Sequence, residues 1–172
     1  MARGWKAFDS SLKAKLSYKG GSEMGNSTLT ASAIMSFTER LEDDSVAFYE
    51  KLAKRFDEGK DVFLGFAKDS RKNKTYLVRT YQETISDALE AAFSFRGLEL
   101  TDYDFETALA KDTSFKEALE MALEIEEKAS KLYSQIAEQA QSLLATIPGA
   151  FSRVAKKRRA RKEILQPMLD KA

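Results

Sequence analysis

Near the C-terminus, Ile147, Phe151, Val154, Arg158, Arg161, Leu165 and Met168 follow one another at alternating steps of four and three. That spacing keeps one face of a helix turned continuously toward its neighbours. Such a stripe is buried only by packing against other helices, so it commits the chain to a helical bundle. Its two central positions are arginines, and a guanidinium group inside a bundle requires anionic or hydrogen-bonding partners at the same level. What faces Arg158 and Arg161 therefore bears on both fold and function.

Upstream of the stripe the pattern is also helical. A first helix is predicted over 31–57, ending in the turn Asp57-Glu58-Gly59. A second starts near Asp61 and places Phe63, Phe66, Ser70, Asn73, Leu77 and Tyr81 on one face; the same spacing continues through Thr84, Ala88, Ala91 and Phe95 before Gly97. After a long connection over 97–113, a third helix with Ala118, Ala122, Glu126, Ala129 and Tyr133 in line reaches about 144. The fourth begins around Pro148, a residue tolerated in a first turn. Two short loops with a long connection between them predict two antiparallel hairpins joined by a crossover, with helices running up, down, down and up.

The halves repeat. Glu42, Tyr49 and Ala53 recur as Glu126, Tyr133 and Ala137 at an offset of 84, and Ala67, Ser70, Asn73 and Leu77 recur as Ala155, Arg158, Arg161 and Leu165 at an offset of 88. Each half is a Glu-x6-Tyr helix followed by a helix with two spaced positions facing the same level.

Composition removes several chemistries. The chain of 172 residues, 43% hydrophobic, fits one domain with a substantial core. It contains no cysteine and no histidine, which excludes disulfides, thiolate ligands and imidazole as base or metal ligand. With 28 Lys+Arg against 27 Asp+Glu, no global field draws it to a polyanion. No run approaches the ~20 apolar residues of a membrane span, and no signal-peptide core is visible; a cytoplasmic protein is expected. Residues 1–30 form a polar arm distinct from the bundle at 31–172: either a solvated tail, or a segment whose Trp5, Phe8, Leu12 and Leu16 make an apolar stripe that docks on a partner.

The segments LEDDSVAFYEKLAKRF and LEIEEKASKLYSQIAEQA, with FLGFAKDSRKNKTYL and FSRVAKKRRARKEIL, resemble the four helices of the rubrerythrin-like branch of the ferritin-like superfamily over roughly residues 31–170. The resemblance implies an all-α ferritin-like four-helix bundle with a long crossover between helices two and three. In that family two irons are held by a Glu seven residues before a Tyr in each half, and by a Glu-x-x-His on the other helix of each half. Glu42 and Glu126 match the first kind of ligand. The Glu-x-x-His positions fall on Ser70 and Asn73 in one half and on Arg158 and Arg161 in the other. The paired cysteines of the rubredoxin-type iron site are missing.

A degenerate metal site is the resulting expectation. Glu42 and Glu126 would be buried anions, Arg158 and Arg161 would neutralise them, and Ser70 and Asn73 would add neutral hydrogen bonds from the facing helix. Tyr49 and Tyr133 are expected as core aromatics whose hydroxyls find partners. This points to a non-catalytic structural or interaction protein without a metal cofactor, leaning against an enzyme, and family resemblance implies a homodimer or a protein partner. Two alternatives stay open. A rotated helix would let both arginines extend to water from the stripe's edge. A divergent di-metal oxidoreductase or iron-binding protein would hold iron or manganese with Glu42, Glu126 and further carboxylates among Asp44, Asp69, Glu83, Glu120 and Glu163. The run KKRRARK at 156–162 leaves Lys156, Arg159 and Lys162 outward; neutralising about three phosphates gives weak, salt-sensitive binding, which argues against nucleic acid as the partner.

Overall fold

The computed structural model describes residues 28–86, 94–142 and 146–172. Four long helices dominate it: α1 (Ala31–Arg55), α2 (Lys60–Thr84), α3 (Phe115–Gln139) and α4 (Thr146–Leu169). A short antiparallel ribbon joins β1 (Thr28–Thr30) to β2 (Ser94–Arg96), with Leu29 opposite Phe95.

Local chemistry sets the helix limits. The Thr30 hydroxyl accepts from the Ala33 amide at the start of α1. Ser114 and Glu117 form a reciprocal capping box at the start of α3. The turn between α1 and α2 depends on Gly59, whose φ of 75° is left-handed; a Cβ there would also come within 2.5 Å of the Met168 Cε.

The helix directions follow from contacts across the bundle. Tyr49 reaches Glu126 while Tyr133 reaches Glu42, so α1 and α3 run antiparallel. Arg161 meets Ser70 and Lys157 meets Asn73, so α2 and α4 are antiparallel as well. With a short hairpin turn in each half, the order is up, down, down, up. The connection from α2 to α3 must then return along the bundle, about 37 Å for a helix of 25 residues. Arg55 at the end of α1 grips it, donating to the carbonyls of Ala110, Lys111 and Thr113 at 2.5, 2.6 and 2.7 Å. Midway, Asp104 pairs with Arg40 and its carbonyl accepts from Lys128, and the Tyr103 hydroxyl donates to Gln135.

Two expectations need correction. Helix two was extended through Phe95, but α2 ends at Thr84 and Ile85 is already extended; Phe95 is buried in β2. Its apolar spacing continued the helical stripe, yet its backbone pairs with the stretch before α1. Thr28–Thr30, the last residues of the stretch assigned to the arm, form the first strand of this ribbon. Ala88, Ala91 and the Trp5–Phe8–Leu12–Leu16 stripe lie outside the described residues. Helix three also closes earlier than 144, in a 3-10 turn over Ala140–Ser142.

The apolar interior divides in two. One part gathers Leu41, Leu77, Tyr133, Phe151 and Val154 toward the ribbon end. The other gathers Phe48, Tyr49, Phe63, Ile125 and Leu165 toward the α1–α2 turn. Between them along every helix lies a buried polar belt: Glu42 and Ser45, Ser70 and Asn73, Glu126, and Arg158 and Arg161. Among the described residues, no helix is long and apolar enough to cross a membrane.

Candidate functional site

The belt is the one level at which all four helices present polar side chains inward. Arg158 projects from the centre of α4 and is fully buried. One terminal nitrogen donates to Glu42 Oε2 at 2.6 Å and to the Ser45 hydroxyl at 3.1 Å, and the other donates to Glu126 Oε1 at 2.8 Å. A single guanidinium thus bridges the carboxylates of both halves. Burial opposes its charge, but Glu126 and Glu42 outweigh that effect and hold its pKa well above the ordinary arginine value.

Arg161, one turn later, is displaced toward α2. It donates to the Ser70 hydroxyl at 3.0 Å and to Glu126 Oε1 at 3.3 Å, with its guanidinium carbon 5.1 Å from the centre of the Phe66 ring. A desolvated cation over an aromatic face gains further electrostatic stabilisation. At 3% exposure its head does not reach water, which removes the rotated-helix alternative for both arginines.

The tyrosines complete the belt reciprocally. Tyr49 of the first half donates to Glu126 of the second at 2.6 Å, and Tyr133 of the second donates to Glu42 of the first at 2.8 Å. Burial, reinforced by the neighbouring carboxylate, raises both phenols well above their ordinary pKa, so they remain neutral donors. Glu42 has one donor on Oε1 and Arg158 on Oε2. Glu126 receives Tyr49, Arg158 and Arg161 on Oε1, while its Oε2 has no partner.

Of the six positions matched to metal ligands, Glu42, Glu126, Arg158, Arg161 and Ser70 come together. Asn73 stands aside: its carbonyl oxygen accepts from Lys157 at 3.3 Å and its amide nitrogen has no partner. Ser70 serves Arg161 rather than a carboxylate. Ser45 was not anticipated. Its position three residues after Glu42 was the available signal, because the repeat places Ala129 at the equivalent point and a lone hydroxyl on a core face needs a partner. Two of the cations expected to face outward are tied to α3: Arg159 donates to Ser134, and Lys162 pairs with Glu127.

The donor set does not fit a di-iron centre. Both carboxylates are committed to Arg158, and Ser70 and Asn73 are neutral. Two divalent ions added to two guanidinium groups would leave four positive charges uncompensated by Glu42 and Glu126 in a solvent-excluded core. The carboxylates that could have made a different site are elsewhere. Asp44, Glu83, Glu120 and Glu163 are exposed, and Asp69 is half-buried beside Lys72. Among the described residues, no three acidic, histidine or cysteine side chains converge as a metal site.

No protein-family model and no curated protein matches the chain. A structural match exists to a protein of Thermotoga maritima assigned provisionally as a ferritin-like diiron-carboxylate protein. The likeness has a TM-score of 0.69 at 19% identity and covers 85% of this chain and 98% of that one. At that identity the match speaks for architecture, and it agrees with the helix directions and crossover described above: the chain has the ferritin-like four-helix-bundle fold.

Proposed function

We propose that this protein is a ferritin-like bundle in which a salt-bridge cluster stands where relatives hold two metals, and that it acts as a non-catalytic structural or interaction protein. The observation that carries the reading is the Arg158 guanidinium set between Glu42 and Glu126, where it donates to both carboxylates at once. The reciprocal tyrosine bonds support it, since Tyr49 and Tyr133 each occupy one oxygen of Glu126 and Glu42.

Metal analysis of protein purified from cells supplied with iron or manganese tests the proposal. Far less than one metal ion per chain is expected. A stoichiometric di-metal centre touching Glu42 and Glu126 would overturn it and favour the divergent oxidoreductase or iron-binding alternative. A converse variant sharpens the test: Ser70→Glu, Asn73→His, Arg158→Glu and Arg161→His together restore the family's ligand types. It should be less stable than the parent without metal and gain stability on adding ferrous iron.

A further inference from the structure

The last turn of α4 follows a break in the helix's own hydrogen bonding. Pro167 lies inside the helix, so the Glu163 carbonyl has no amide four residues on from which to accept. Beyond it, Met168 and Leu169 are half-buried and pack against the apolar cluster that contains Phe63 and Leu165. Met168 is seated in a specific slot. Its Cε lies 2.5 Å from the point where a Cβ at Gly59 would stand, and the Phe63 ring lies 3.2 Å from the same point. The methyl group therefore fills the space that Gly59 leaves open in the turn between α1 and α2, beside an aromatic ring that is itself fully buried.

The other methionines are placed differently. Met35 is 5% exposed in the opposite part of the core. Met121 is half-buried on α3, whose start is fixed by the Ser114–Glu117 capping box. Met1 and Met24 lie outside the described residues. Among the described methionines, Met168 is the one on a turn whose backbone ladder is interrupted.

We propose that Met168 is a peroxide-sensitive latch: as the thioether it pins the last turn of α4 onto Gly59, and as the sulfoxide it releases that turn. The oxidant is a hydroperoxide, hydrogen peroxide being the simplest. A sulfur lone pair attacks one peroxide oxygen and the O–O bond breaks. The sulfur is oxidised by two electrons to S=O, and the other oxygen leaves as water with both protons. The flexible apolar side chain becomes a polar one, and its new oxygen needs a hydrogen-bond donor or water in a slot lined by the Phe63 ring. With Pro167 already interrupting the ladder, undocking of this turn costs few backbone hydrogen bonds. The latch does not depend on whether the polar belt binds metal, because Met168 lies about 10 Å beyond Arg161 along α4.

The test adds hydrogen peroxide to the full chain and to two variants, Met168→Leu and Met121→Leu, volume-conserving changes that cores tolerate. Peptide mass spectrometry locates the oxidised sites, and amide hydrogen exchange is followed over 56–64 and 163–172. Met168 is expected to be converted in the folded protein, and exchange in both segments to quicken about tenfold while that of 38–46 stays unchanged. Met121→Leu should respond as the parent does, and Met168→Leu should not respond. Methionine sulfoxide reductases should restore protection to the oxidised Met121→Leu protein. Resistance of Met168 to peroxide until the protein unfolds, oxidation of Met168 with unchanged exchange, or a full response in folded Met168→Leu would each overturn the proposal.

Discussion

Arg158 donates to Glu42 across 2.6 Å with both side chains fully excluded from solvent, although the two residues are 116 positions apart. The bond ties the last helix to the first, and the same guanidinium ties α3 through Glu126. The centre of the bundle is therefore one ionic unit, and its energetics depend on whether charges are removed singly or together.

Arg158→Ala leaves Glu42 with Tyr133 as its remaining donor and deprives Glu126 of its closest cation. A loss of about 3–5 kcal/mol in chemical denaturation is expected, the range for breaking one side of a buried ion pair. Replacing Glu42, Glu126, Arg158 and Arg161 together by leucine or methionine, with Tyr49→Phe and Tyr133→Phe to avoid stranded hydroxyls, should cost much less. A near-silent Arg158→Ala would show that the cluster does not hold the core.

The two tyrosines should differ despite their matching positions. Tyr133 is the single donor to Glu42 Oε1, whereas Tyr49 shares Glu126 Oε1 with two guanidinium groups. Tyr133→Phe is expected to cost about 1.5–3 kcal/mol, the worth of a hydrogen bond to a charged group, and Tyr49→Phe about half of that. Paired urea titrations of the two variants measure the difference, and a larger loss for Tyr49→Phe would contradict it.

Alkaline titration follows from the raised phenol pKa values. Below pH 10 the phenols are neutral in both folded and unfolded chains, so their contribution is fully present. Above that, the unfolded chain releases these protons while the folded one retains them. Stability should fall by about 1.4 kcal/mol per pH unit for each tyrosine until the folded pKa is passed. Denaturation between pH 9 and 11 should show a shallower fall in the Tyr49→Phe, Tyr133→Phe double variant than in the parent.

Phe95 sits outside the helices but is buried against the ribbon end of the core. Phe95→Ala should destabilise the fold by about 3–5 kcal/mol, as for a helix-core phenylalanine. Thermal or urea unfolding checks this; a change below about 1 kcal/mol would mean that the ribbon is peripheral to stability.

The helices, their order and the level of the polar belt were legible in the residues, because periodicity is local and a repeat of Glu-x6-Tyr fixes which positions share a turn. That Glu42, Glu126, Arg158 and Arg161 share one site is what the resemblance to rubrerythrin-like bundles implied, by the positions matched to metal ligands. Which donor meets which acceptor was not legible. An arginine side chain reaches several partners from one backbone position, so small lateral shifts between helices decide whether it bridges two carboxylates, as Arg158 does, or leans toward Ser70 and Phe66, as Arg161 does. The place of Phe95 was hidden for a different reason. Its apolar spacing continued the stripe of α2, and only pairing with Leu29, 66 residues earlier, turns that stretch into a strand. Hydrogen bonds between distant segments leave no periodic trace, since the pattern along the chain records which side chains are buried and not which backbone they meet.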